Sequence, residues 1–307
     1  PSKIIRWPLR RGILFPSPRR AARTSMTTGL RSMWPVGVPS FHPSRMRTRN
    51  RTMAPQFLSS VRLWDRFLLL AGLAVLTLLA WGAMAEMAVR MDGTPAAAHL
   101  QAWGVSDFFV AFGMWSVMMM GMMLPSASPM ILTFSGIVRR RTDGHPLHRT
   151  GLFVGGYLLV WVGYSAGAAL LQGAFQAAAL LTPMGASTSP FLAGGLLVVA
   201  GIFQWTPLKE ACLTGCRTPM GFLMAEWRPG RRGALVMGLR HGWNCALCCW
   251  ATMALMFVLG VMNLLWMAAL TALCLIEKVA PAGDWMGRVA GIGFIGWGGW
   301  LITHGLL

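Results

Sequence analysis

From residue 67 onward the chain alternates long apolar runs with short polar joints. A helix needs about 20 apolar residues to cross the hydrocarbon core of a bilayer. Read on that length, the pattern predicts about seven spans, at roughly 67–89, 108–134, 152–181, 191–205, 234–259, 263–276 and 289–306. The fourth and sixth are short. The longest polar joint, 206–232, separates the fourth span from the fifth. The expected fold class is therefore all-α, a polytopic transmembrane helix bundle over residues 60–307. No internal repeat is evident, which counts against an inverted-repeat transporter.

Composition agrees with the pattern. Of the 307 residues, 55% are hydrophobic and only 12% charged, and the mean hydropathy is +0.55. Soluble domains carry about 25% charged residues. A chain so poor in charge has lipid as much of its solvent.

The formal net charge of +18 suggests nucleic acid until its distribution is read. Residues 1–52 hold twelve Lys and Arg and no acid, which is two thirds of the excess. That stretch has no hydrophobic period and reads as a disordered basic extension, residues 1–55. Translation starting at Met53, a basic arm on anionic lipid and a transit-type presequence are its competing readings. No nucleic-acid partner is expected. There is no Gly-Lys phosphate loop or dinucleotide fingerprint.

Lys and Arg mark alternate joints. Arg62 and Arg66 precede the first span, Arg139, Arg140, Arg141 and Arg149 follow the second, and Lys209, Arg217, Arg228, Arg231 and Arg232 follow the fourth. Lys278 and Arg288 flank the sixth-to-seventh joint. The positive-inside rule then predicts a cytoplasmic N-terminus and an external C-terminus in a bacterial-type inner (plasma) membrane. Glu277-Lys278 reads as an ordinary interfacial pair.

The chemistry gathers in three places. The fifth span carries His241, Cys245, Cys248 and Cys249, whose spacing puts neighbours one turn apart on a helix. Thiolate and imidazole suit Cu(I) or Zn(II), and neighbouring Arg240 would favour thiolate. The joint before it carries Cys212 and Cys216, on one face of a short helix bounded by Pro207 and Pro219. One cysteine set on a joint and one on a helix can meet, and a disulfide is the alternative. Cys274 reads as packing. The second span carries a methionine stripe in which Met118, Met122 and Met123 are soft-ligand candidates; methionine is also a flexible gap-filler. Pro125 and Pro129 should kink or break that helix. Gly155-Gly156 and Gly194-Gly195 read as close helix contacts.

Three segments together resemble the DUF2182 family of predicted metal-binding integral membrane proteins. They are Trp115-Ser-Val-Met-Met-Met-Gly-Met-Met-Leu-Pro125, Pro207-Leu-Lys-Glu-Ala-Cys-Leu-Thr-Gly-Cys-Arg-Thr-Pro219, and Gly238-Leu-Arg-His-Gly through Cys245-Ala-Leu-Cys-Cys-Trp250. The last continues through Gly260-Val-Met-Asn-Leu-Leu-Trp-Met267 to Glu277-Lys278. The resemblance covers roughly residues 60–280 and implies metal binding. Gly121 and Leu247 stand where the family often has Ala and Gly. The resulting expectation is a membrane protein that binds a soft transition metal, copper before zinc, for metal handling or delivery to a partner protein. Thiol redox chemistry, transport, and a structural subunit with packing cysteines are the other readings. No enzymatic activity is assigned.

Overall fold

The computed structural model describes residues 63–92, 103–141, 146–182 and 184–305. The basic extension expected over residues 1–55 lies outside them. Ten helices follow one another: α1 (Leu63–Asp92), α2 (Val105–Arg141), α3 (Pro146–Ala177), α4 (Pro190–Phe203), α5 (Pro207–Arg217), α6 (Pro219–Glu226), α7 (Gly230–Ala254), α8 (Met256–Leu259), α9 (Leu264–Val279) and α10 (Gly283–His304). Among the described residues the only extended pairing is an isolated bridge between Leu181 and Ser187. The all-α expectation holds.

The count of about seven spans is not reproduced. Among the described residues four segments are long and apolar enough to cross a membrane: Arg66–Arg90, Val105–Arg141, Pro146–Ala177 and Gly230–Leu259. A fifth is reached if α4 and α5, bent by 66° at their junction, count as one broken span. The physical reason is length. At 1.5 Å per residue the 14 residues of α4 reach ~21 Å and the 16 of α9 reach ~24 Å, against a hydrocarbon core of about 30 Å. The last helix, α10, is long enough, but its apolar content is diluted by glycines such as Gly287, Gly291, Gly293 and Gly296.

Packing centres on α3 and α7, with α2 also against α3 and α5 against α7. Two thirds (67%) of the apolar window of α7 is buried, but only 17% of that of α1. The first helix therefore lies at the periphery, with Phe67, Leu78 and Leu79 exposed. Apolar exposure of this extent suits lipid rather than water.

Close approach of α3 and α7 rests on glycine. A Cβ on Gly156 would collide with the Leu235 carbonyl, one on Gly238 with the Phe153 carbonyl, and one on Gly242 would sit 2.9 Å from the Tyr157 carbonyl. The same device joins α4 to α10, where a Cβ on Gly194 would fall 2.7 Å from the Gly298 carbonyl and one on Gly201 2.6 Å from the Gly291 carbonyl. Of the expected glycine pairs, Gly156 and Gly194 make such contacts; Gly155 and Gly195 face open space.

The prolines do not break α2, which runs unbroken from Val105 to Arg141. Proline lacks an N–H, so the carbonyl four residues earlier loses its helical donor. Pro125 frees the Gly121 carbonyl, and the Trp81 indole Nε1 donates to it at 3.3 Å. Pro129 frees the Pro125 carbonyl, and the Ser128 hydroxyl donates to it at 2.8 Å. Side chains thus restore what the backbone loses, as an apolar solvent requires.

Candidate metal centre

The joint before α7 folds as its prolines dictate. Thr206 caps α5, its hydroxyl accepting from the Lys209 amide at 3.3 Å, and Pro207 occupies the first turn, where its missing N–H is harmless. The helix ends at Arg217, and Pro219 starts α6. Cys212 and Cys216, four residues apart, lie one turn apart on the α5 face toward α7; the first is buried and the second half-buried. Gly215 lets the two helices approach, since a Cβ there would lie 3.3 Å from the Asn244 amide.

On α7, His241, Cys245, Cys248 and Cys249 are all buried. Cys216 lies near both Cys245 and Cys248 where α5 packs on α7, so the joint and the helix do meet. The Cys248 Sγ donates to the Cys245 carbonyl at 3.1 Å and lies 3.2 Å from the Cys249 Sγ. Cys274 on α9 is fully buried in the core, next to Cys249. All six cysteines are free, so the disulfide alternative is not what the fold contains. The sulfurs are linked pairwise. Among the described residues no group of three or more His, Cys, Asp or Glu side chains is set to hold an ion as it stands.

Cys245 is the hub. Its Sγ lies 3.2 Å from the Tyr157 hydroxyl and 3.1 Å from the Lys278 ammonium. Lys278 also donates to the Ser126 hydroxyl at 3.1 Å and lies 3.9 Å from the Met123 sulfur. The Tyr157 hydroxyl is 3.2 Å from the Met123 carbonyl. Helices α2, α3, α7 and α9 therefore converge on one thiol.

Two expectations are corrected here. Arg240 is not the cation beside the thiols: its guanidinium pairs with Glu226, and its side chain is 46% exposed. One residue along a helix is 100° around it, so sequence adjacency to His241 turns Arg240 away. Lys278 holds that place instead. Nor is Glu277-Lys278 an ordinary interfacial pair. Both are buried, and each serves a different neighbour: the Glu277 carboxylate accepts from Lys209 at 2.8 and 2.9 Å, while Lys278 reaches Cys245. Two adjacent charges ending a wholly apolar helix were the available signal for both residues.

His241 stacks between rings, with centroids 6.0 Å from Phe153 and 5.4 Å from Tyr157, and meets Phe222 edge-on at 5.6 Å. Its Nδ1 is buried and has no hydrogen-bond partner. Met118, Met122 and Met123 are fully buried in the core. Met123 borders the thiol hub through Lys278; Met118 sits five residues earlier on α2, ~7.5 Å along the axis.

Helices long and apolar enough to cross a membrane, together with free, mostly buried thiols on α5, α7 and α9, define a class of α-helical thiol proteins with a soft donor set. Within that class, the chain belongs to the PpoB2 copper chaperone family, whose model matches residues 112–301. The match takes in α3 through α9, most of α2 and α10, and all six cysteines. The family is copper-related, though it does not carry the DUF2182 name. No curated protein and no solved structure matches the chain.

Proposed function

We propose that this protein is an integral membrane copper-handling protein that holds Cu(I) as cargo through sulfur, with Cys216 on α5 and Cys245 and Cys248 on α7 as the principal ligands. The observation that carries this reading is the approach of half-buried Cys216 to buried Cys245 and Cys248 where two helices pack. Soft thiolates suit Cu(I) better than hard cations, and zinc is the second ion such a set accepts. Cys249 extends the chain and Cys212 stands one turn away on α5, so more thiols are available than one ion needs. The surplus suits passing an ion on to a partner protein. His241 offers a buried nitrogen without a partner, one turn from Cys245. Met118, Met122 and Met123 would form a weaker thioether set on α2. The pairwise thiols converge on an ion by side-chain rotation, with α5 and α7 already in contact.

The basic joints at Arg139–Arg141 and Arg228–Arg232 flank this part of the chain, so the positive-inside rule sets the thiols toward the cytoplasm. Inverted membrane vesicles, which expose that face, should take Cu(I) from a chromophoric chelator under reducing conditions. C216S and C248S should weaken uptake by about tenfold or more, since even an outer-shell change costs that much. Uptake unchanged by both substitutions contradicts the ligand set. Uptake by sealed right-side-out vesicles alone contradicts the orientation.

The 3.2 Å contact between Cys248 and Cys249 favours one second reading, thiol redox chemistry. It predicts that a disulfide oxidant consumes two thiols reversibly in metal-free protein.

A further inference from the structure

The copper reading uses the thiols of α5 but not what holds that helix in place. Two grips do so, and both come from the corner where α9 turns into α10. At the start of α5, Lys209 is fully enclosed: its ammonium donates to both Glu277 oxygens, at 2.8 and 2.9 Å, and to the Gln204 side-chain oxygen. The ion pair is buried on both sides, with side-chain exposures of 4% and 1%. At the end of α5, Arg217 donates to Asp284 and to the carbonyls of Ala280 and Pro281, the latter two at 2.9 and 3.0 Å. Lys209 and Cys216 are seven residues apart, two turns on one face of the helix.

A buried ion pair is a weak contributor to net stability, because desolvating both charges offsets their attraction; its best-attested role is to fix one arrangement among alternatives. Two details mark a built contact. A Cβ on Gly287 would fall 2.8 Å from a Glu277 oxygen, so glycine makes room for the carboxylate. A cavity of about 30 Å³ lies beside the pair, lined by Gln204, Thr206, Lys209, Glu277, Gly287 and Arg288. That is space for water, and the Gln204 Nε2 is buried without a protein partner. The neighbouring 66° bend between α4 and α5 leaves α5 no continuous helix to stiffen it.

We infer that Lys209 and Glu277 are positioning residues: their ion pair, with the Arg217 grip, docks α5 as a thiol-bearing arm and holds Cys216 against Cys245 and Cys248. Adjacent Glu277 and Lys278 then make α9 the common clamp of both thiol-bearing helices. The inference rests on the copper reading for its purpose, but its test uses no metal, so the two fail separately.

The test is proximity crosslinking in the full chain, purified in detergent and reduced, with all cysteines changed to serine except Cys216 and Cys248. Dibromobimane, a short bis-alkylating thiol reagent, joins them when they are adjacent. A second version keeping only Cys248 and Cys249, both on α7, is the reference. Lys209→Met should slow the Cys216–Cys248 crosslink by about tenfold or more, as loss of alignment does, and leave the reference rate unchanged. The charge swap K209E/E277K should restore it. Should K209M disturb the reference pair, the isosteric E277Q is read in its place. An unchanged Cys216–Cys248 rate, or a loss that the swap does not restore, overturns the inference.

Discussion

At the scale of single residues, the side chains that matter satisfy something the backbone or a sulfur lacks. Trp81 supplies the donor that Pro125 removed from the Gly121 carbonyl. Trp81→Phe keeps most of the apolar volume but leaves that carbonyl half-buried without a donor. Unsatisfied polar groups cost about 1–3 kcal/mol, so W81F should lower the thermal unfolding temperature in detergent with copper stoichiometry unchanged. An unaltered unfolding temperature would mean that the bond contributes nothing. The thiol hub has the same logic, with Tyr157 and Lys278 both on Cys245. Here sequence reading reached only part of the site. The spacing of His241, Cys245, Cys248 and Cys249 is helical arithmetic and was legible. Tyr157 and Lys278 arrive from helices distant in sequence, and no local period announces them. Arg240 misled because adjacency along a helix is not adjacency in space.

At the scale of elements, the boundaries of α5 were readable because proline dictates them. Pro207 and Pro219 delimit α5 as expected, and Asn263 caps α9, its side chain accepting from the Trp266 amide at 3.0 Å. Pro125 and Pro129 do not break α2 because the donors that rescue it are tertiary or local hydroxyl partners that the proline rule does not include. Helix contacts were half legible: a glycine pair signals approach without saying which member faces the neighbour. The α3–α7 contact makes the strongest demand. Gly238→Ala pushes a methyl into the Phe153 carbonyl, which is backbone and cannot move aside cheaply. Overpacking typically costs about 1–3 kcal/mol. G238A should therefore lower the unfolding temperature and separate Tyr157 from Cys245, whereas Gly155→Ala, which meets open space, should be neutral. Equal effects of the two would contradict the packing described.

At the scale of the whole molecule, the chain is an α-helical bundle whose best-buried long helix carries the most thiols. A peripheral helix with an apolar outer face, α1, precedes the family match, which begins inside α2. Long apolar helices were legible from hydropathy, and among the described residues four are long and apolar enough to cross a membrane. The number of crossings was not, since α4 and α9 are apolar but short, and apolar content alone does not tell a span from a shorter buried helix. The thiol chain, the orphan His241 nitrogen and the copper chaperone family point to one cargo. The most direct test is metal content by mass spectrometry of the purified full chain loaded with Cu(I) under reducing conditions, beside a variant with Cys245, Cys248 and Cys249 changed to serine. The account predicts near-stoichiometric copper in the wild type and its loss in a folded variant. Copper absent from the folded wild type, or retained in full by the triple variant, would contradict it.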